Sequence, residues 1–127
     1  LLAALDQLPL ADAVETCACV AAMLRKGMGG SSGVLLSILL MGMTDSLGRA
    51  SGSRTWADAG PRAFRDGLQA MMDAGGASTG SRTMLDALVP AADALLAGKG
   101  LAGAKDAAEA GAKATASMAP RAGRAEN

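Results

Sequence analysis

Residues 27–33 read Gly27-Met28-Gly29-Gly30-Ser31-Ser32-Gly33, and they lie between two apolar segments with helical spacing. Glycine this dense stops the first segment as a helix and leaves backbone N–H groups bare where the second begins. Bare amide hydrogens, two hydroxyls and the positive end of a helix together suit a phosphate. The plainer reading is a glycine–serine connection in which Ser31 or Ser32 caps the following helix.

Outward from this turn the chain reads as helices throughout. Towards the N-terminus, Leu10 to Lys26 carries Val14, Ala18, Ala21 or Ala22 and Arg25 at helical intervals, with Pro9 near its start. Arg25 and Lys26 in the last turn suit the negative helix end. Towards the C-terminus, Ser32 to Leu47 is apolar nearly all round, which places it in the middle of a bundle. Its apolar run, Val34 to Met43, is about ten residues, too short to cross a bilayer. Thr55-Trp56-Ala57-Asp58 has the pattern of a helix start. That helix is predicted to reach Ala74, with Pro61 either kinking it or moving its true start, and with Phe64, Leu68 and Met71 or Met72 facing inward. A fourth helix is expected over Thr83 to Ala97, bent at Pro90. A fifth is expected over Leu101 to Met118, its inward stripe being Leu101, Ala104, Ala108, Gly111 or Ala112, Thr115 and Met118. Lys105 and Glu109 are spaced for an ion pair on its polar face.

The fold class is therefore all-α, an antiparallel helical bundle or barrel with short connections. In up-and-down order, the connections before Ser31, Thr83 and Arg124 fall at one end of the bundle. A site assembled there needs no other assumption.

Composition agrees. The 127 residues suffice for one domain, spanning residues 1–127. Half are apolar, yet Trp56 and Phe64 are the only aromatics, so the core must be Ala, Leu, Met and Val. Net charge is zero and no basic block exists, which argues against nucleic acid as a partner. No membrane span is expected. There is no His, which removes Ser-His-Asp and Cys-His chemistry. Cys17 and Cys19, two apart on a helix, point to different faces, cannot bridge one another and read as small core residues. Two free thiols fit a reducing compartment, the cytoplasm. Leu1 to Leu5 has no basic start and looks like chain cut from something longer.

Two further motifs accompany the glycine turn: Gly80-Ser81-Arg82-Thr83-Met84-Leu85-Asp86-Ala87-Leu88-Val89-Pro90, and Gly123-Arg124-Ala125 near the C-terminus. In this order the three resemble the nucleotide-binding domain (the L or C-terminal domain) of the dihydroxyacetone kinases, from Leu24 onward. The related fatty-acid kinases carry a similar domain, but the Gly-Gly-Ser-Ser form of the turn favours the dihydroxyacetone group. The resemblance implies an eight-helix barrel holding ATP or ADP with magnesium at one end. Gly30, Ser31 and Ser32 would meet the phosphates, and Gly75, Thr83 and Met84 would line the nucleotide. Arg124 would lie near the phosphoryl group in flight, as a catalytic residue. A separate dihydroxyacetone-binding domain or subunit would be the partner, and a homo-oligomer is possible.

The plain alternatives stand beside these roles: Thr83 as a helix cap, Met84 as core, Arg124 as a solvated tail residue, and Asp86, Asp58 and Asp12 as helix-start or surface acids. The sequence also departs from the family pattern. The acidic loop that holds magnesium in the family is absent from these residues, so metal ligands are expected outside this chain. Ser81 replaces an acid. The chain reads as about five of the eight helices, which by themselves should not catalyse transfer. The reading of different class is a non-catalytic bundle that binds a protein partner or an apolar ligand through Ala- and Met-rich faces.

Overall fold

In the computed structural model, residues 2–52 and 55–123 are described, and every regular element among them is helical. The elements are a 3₁₀ turn at Leu2–Gln7, α1 at Ala13–Gly27, α2 at Gly30–Arg49, α3 at Gly60–Gly75, α4 at Leu85–Leu96, α5 at Gly100–Ala114 and a 3₁₀ turn at Thr115–Ser117. The chain divides into two compact units, Leu1–Ala74 and Gly75–Asn127.

In the first unit, α1 starts three residues later than its apolar spacing suggests, because Asp12 sets the start. Its Oδ1 accepts the Glu15 N–H at 3.0 Å, the bond that satisfies one of the free donors of a first turn. Met28 and Gly29 then fold α2 back on α1. Ser37, fully buried on α2, ties the two helices: its hydroxyl lies 2.8 Å from the Gly33 carbonyl and 3.3 Å from that of Ala21. Cys17 is buried on α1, and both thiols are free.

α3 packs on α2 through glycine. A Cβ on Gly67 would stand 2.4 Å from the Leu39 carbonyl, and one on Gly42 would stand 2.9 Å from the Gly67 Cα. Backbone meets backbone here, which is how a core poor in aromatics reaches close packing. Ser46 adds a hydrogen bond across the same pair, 2.6 Å to Asp66 Oδ2. Pro61 does move the start of α3. Thr55 and Asp58 close a preliminary turn, with Thr55 Oγ1 donating to Asp58 Oδ2 at 2.9 Å, and the helix proper begins at Gly60 with proline as its second residue. The buried positions are Gly60, Ala63, Gly67, Leu68 and Met71; Phe64 and Met72 are half-buried, at the edge of the stripe.

α2 runs past its apolar core on both sides, to twenty residues. By length and composition it is long and apolar enough to cross a membrane, with mean hydropathy 1.3. Its hydrogen-bonded Ser37 and its glycine contacts with α3 are features of a packed bundle helix. It is not enclosed all round, however: α1 and α3 cover two sides, while Val34 is 57% and Met41 48% exposed.

In the second unit, α4 and α5 form a hairpin. Gly98, at φ +75°, reverses the chain, and the Lys99 N–H returns to the Ala94 carbonyl at 3.0 Å. Pro90 lies inside α4 and has no N–H for the carbonyl of Asp86, four residues back. That same carbonyl faces α5 at Gly111, where a Cβ would stand 1.9 Å from it. Only glycine admits this approach. The expected inward stripe of α5 is corrected by Leu101, which is 82% exposed; Ala104 is the buried position and Gly111 the point of closest contact. The Lys105–Glu109 pair forms at 3.2 Å.

Candidate nucleotide site

The glycine turn is built so that its amides stay bare. Gly29 is the N-cap of α2, Gly30 its first residue, and Ser31 and Ser32 belong to its first turn. Neither serine is therefore the N-cap, which corrects the plainer reading. No side chain caps this helix end, and no acid lies in its first turn. Gly30 has φ +76°, a left-handed conformation that costs glycine little. Gly33 is required for a different reason: a Cβ there would stand 2.3 Å from the Met28 carbonyl and 2.8 Å from the Met28 Cβ. Gly30, Ser31 and Ser32 are all exposed. What results is a helix start with no side-chain cap, two accessible hydroxyls and no negative charge of its own, an arrangement suited to an anion such as phosphate.

An open cleft of about 400 Å³ borders this turn, lined by Ala4, Met23, Leu24, Lys26, Gly27 and Met28. A larger one, about 560 Å³, lies at the other end of α2 among Ser46, Arg49, Asp58, Arg62 and Asp66. At 1.5 Å per residue it stands roughly 25 Å along the helix from the turn, so cleft size does not mark the site.

The 80–84 segment of the second unit is organised differently. Gly80 has φ +86° and Arg82 has φ +60°, the latter rare for a residue with a side chain. Asp86, 4% exposed, bridges this turn: its carboxylate accepts from the Gly80 N–H and, at 2.9 Å, from the Thr83 N–H. The Thr83 hydroxyl accepts from the Leu85 N–H at 3.2 Å, so Thr83 does help cap α4. Its own hydroxyl proton is not used in that bond and can be donated outward. Met84 is 39% exposed, so it is not core. Gly75 is the last residue of α3 and is exposed. The tail returns to this segment, the Arg121 N–H donating to the Ser81 carbonyl at 3.1 Å. The tail and the 80–83 turn therefore do share one end of their unit. Arg82 and Arg121 are exposed, and Arg124 lies outside the described residues.

The DAK2 domain model matches residues 1–127. The chain belongs to the DAK2 domain family. Dihydroxyacetone kinase of Citrobacter freundii is 42% identical to this DAK2 chain over 122 residues, 94% of the chain and 21% of the relative. The crystal structure of the dihydroxyacetone kinase from C. freundii in complex with AMP-PNP and Mg2+ superposes with a TM-score of 0.79 at 39% identity, over 89% of this chain and 20% of that one. The native form of the same enzyme gives 0.73 at 40% identity, over 83% and 18%. This DAK2 chain thus spans about a fifth of the length of the relatives it matches.

Asp86 is a helix-start acid, as the sequence suggests, lying in the first turn of α4, but it is buried and not a surface acid. Its signal is in the spacing: Thr83 and Asp86 repeat the Thr-x-x-acid pattern recognised at Thr55 and Asp58. Among the described residues no three acids or cysteines gather where a metal ion could sit.

Proposed function

We propose that this chain is the nucleotide-holding part of an ATP-dependent dihydroxyacetone kinase. The observation that carries the reading is the start of α2, uncapped, free of acids and flanked by Ser31 and Ser32. The enzyme bound to AMP-PNP and Mg2+ is its structural neighbour, and that supports assigning ATP or ADP to this chain. In this reading Gly30, Ser31 and Ser32 hold phosphate oxygens, while Gly75, Thr83 and Met84 line the nucleotide. The α4 start already has an internal carboxylate on its amides, so it suits the uncharged part of the ligand better than the phosphates.

In the reaction a hydroxyl oxygen of dihydroxyacetone bonds to the γ-phosphorus, the bond from that phosphorus to ADP breaks, and the hydroxyl proton is released. The protein's share is positioning and charge stabilisation. Arg124 is proposed to offset charge on the transferring group. Magnesium would neutralise phosphate charge, but the described residues do not supply its carboxylates, and the roles of Ser31, Ser32, Thr83 and Arg124 do not run through it. The acceptor is assigned to a separate dihydroxyacetone-binding domain or subunit, which the greater length of the relatives supports. The free thiols of Cys17 and Cys19 favour a cytoplasmic setting.

The test is ADP release by the full-length protein with and without dihydroxyacetone. Replacing Ser31 and Ser32 together by Ala should raise the KM for ATP about tenfold or more, since each removes a hydrogen bond to a charged group. Turnover that is absent with dihydroxyacetone, or indifferent to both serines, rejects the reading.

A further inference from the structure

We infer that Asp86 is a positioning residue for the nucleotide, acting through the 80–83 turn on Thr83 and Met84. The inference rests on the assignment of those two residues to the nucleotide. Asp86 is buried, yet both its carboxylate oxygens are committed to backbone N–H groups of a turn. The turn it holds is costly at Arg82, a residue with a side chain in left-handed backbone at φ +60°. Gly80 suits that shape but Arg82 does not, and the carboxylate on the Thr83 N–H offsets that cost together with the Arg121 N–H on the Ser81 carbonyl. With the carboxylate in place, Thr83 is fixed with its hydroxyl on the Leu85 N–H, and Met84 is held out from the start of α4.

Asp86 is itself anchored from behind. Pro90 leaves its carbonyl without a helical donor, and that carbonyl seats against the Gly111 backbone of α5. One residue therefore connects the α4–α5 packing to the turn. The bond to Thr83 also occupies an amide that a phosphate would otherwise take. Of Thr83 and Met84, that leaves the threonine hydroxyl and the methionine side chain to meet a ligand.

The experiment is steady-state kinetics of the full-length protein carrying Asp86→Asn. The amide keeps the size but replaces one acceptor oxygen with a donor, so one turn N–H loses its partner. The expected result is a rise of about tenfold in the KM for ATP, with kcat and the KM for dihydroxyacetone within about twofold of wild type. A purely structural role would lower the amount of active enzyme, and hence kcat, and leave the KM for ATP in place. If Asp86→Asn leaves that KM unchanged while Met84→Ala raises it, the inference falls and the nucleotide assignment stands. If Met84→Ala and Thr83→Ala leave it unchanged as well, the assignment and the inference both fall. Should Asp86→Asn fail to fold, Gly80→Ala strains the same turn at φ +86° in open space. A raised KM for ATP in that variant supports the inference, and an unchanged one overturns it.

Discussion

Gly111→Ala separates this packing from ordinary helix energetics, because the two push in opposite directions. On an isolated helix, alanine in place of glycine stabilises by about 1 kcal/mol. Here the new Cβ would stand 1.9 Å from the Asp86 carbonyl oxygen, 2.9 Å from its carbon and 3.2 Å from the Ala87 Cα. All three are backbone atoms, so no side chain can turn aside. Restoring even 3.0 Å to the oxygen requires α4 and α5 to part by about 1.1 Å, and a close-packed contact does not absorb that freely. Overpacking of this kind costs about 1–3 kcal/mol. Set against the helix gain, the net effect should be a loss of up to about 2 kcal/mol, or up to roughly 15 °C in the melting midpoint of the unit. Gly48→Ala is the control: the position is on α2 with nothing near a new Cβ, so the midpoint should rise. Thermal melts by circular dichroism read both. If Gly111→Ala raises the midpoint as Gly48→Ala does, the proposed contact with the Asp86 carbonyl is wrong.

Gly33→Ala should weaken ATP binding by about tenfold or more, because the Met28 carbonyl must move and the turn's amides move with it; calorimetric titration checks this, and an unchanged Kd contradicts it. Burial raises the pKa of the Cys17 thiol, so the folded protein holds that proton where the unfolded chain has lost it. Stability should therefore fall as pH climbs above about 8.5, and Cys17→Ala should flatten that fall in denaturant titrations at several pH values. The same burial should leave Cys17 alkylated more slowly than half-buried Cys19, read by mass spectrometry of the native protein.

The helices were legible in the sequence because they are apolar or periodic segments separated by glycine or proline, although α2 runs on to Arg49 and α5 stops at Ala114 rather than at the expected Met118. All five appear, but their ends shift where short-range polar groups decide. Asp12 delays α1, and the Thr55–Asp58 turn with Pro61 delays α3 to Gly60. What the pattern concealed was packing through absence of a side chain. Apolar spacing drew attention to Phe64 and Leu101, whereas the close contacts run through Gly42 and Gly67, which it passed over, and through Gly111, which it included in the inward stripe of α5. A glycine in a helix has no hydropathy to betray the backbone it meets. The candidate site is proposed from the residue types of the turn and from their resemblance to a known family. The roles of Asp86 and Gly33 were not legible there, because one depends on a carboxylate folding back on its own loop and the other on a carbonyl five residues earlier.

The central claim is that the bare start of α2 grips the phosphates of ATP. Amide hydrogen exchange of the full-length protein, with and without magnesium and AMP-PNP, tests it most directly. Amides from Gly29 to Gly33 should exchange markedly more slowly with the nucleotide bound, and Ser31→Ala with Ser32→Ala should diminish that protection. Nucleotide binding that leaves those five amides exchanging as in the free protein would contradict the account.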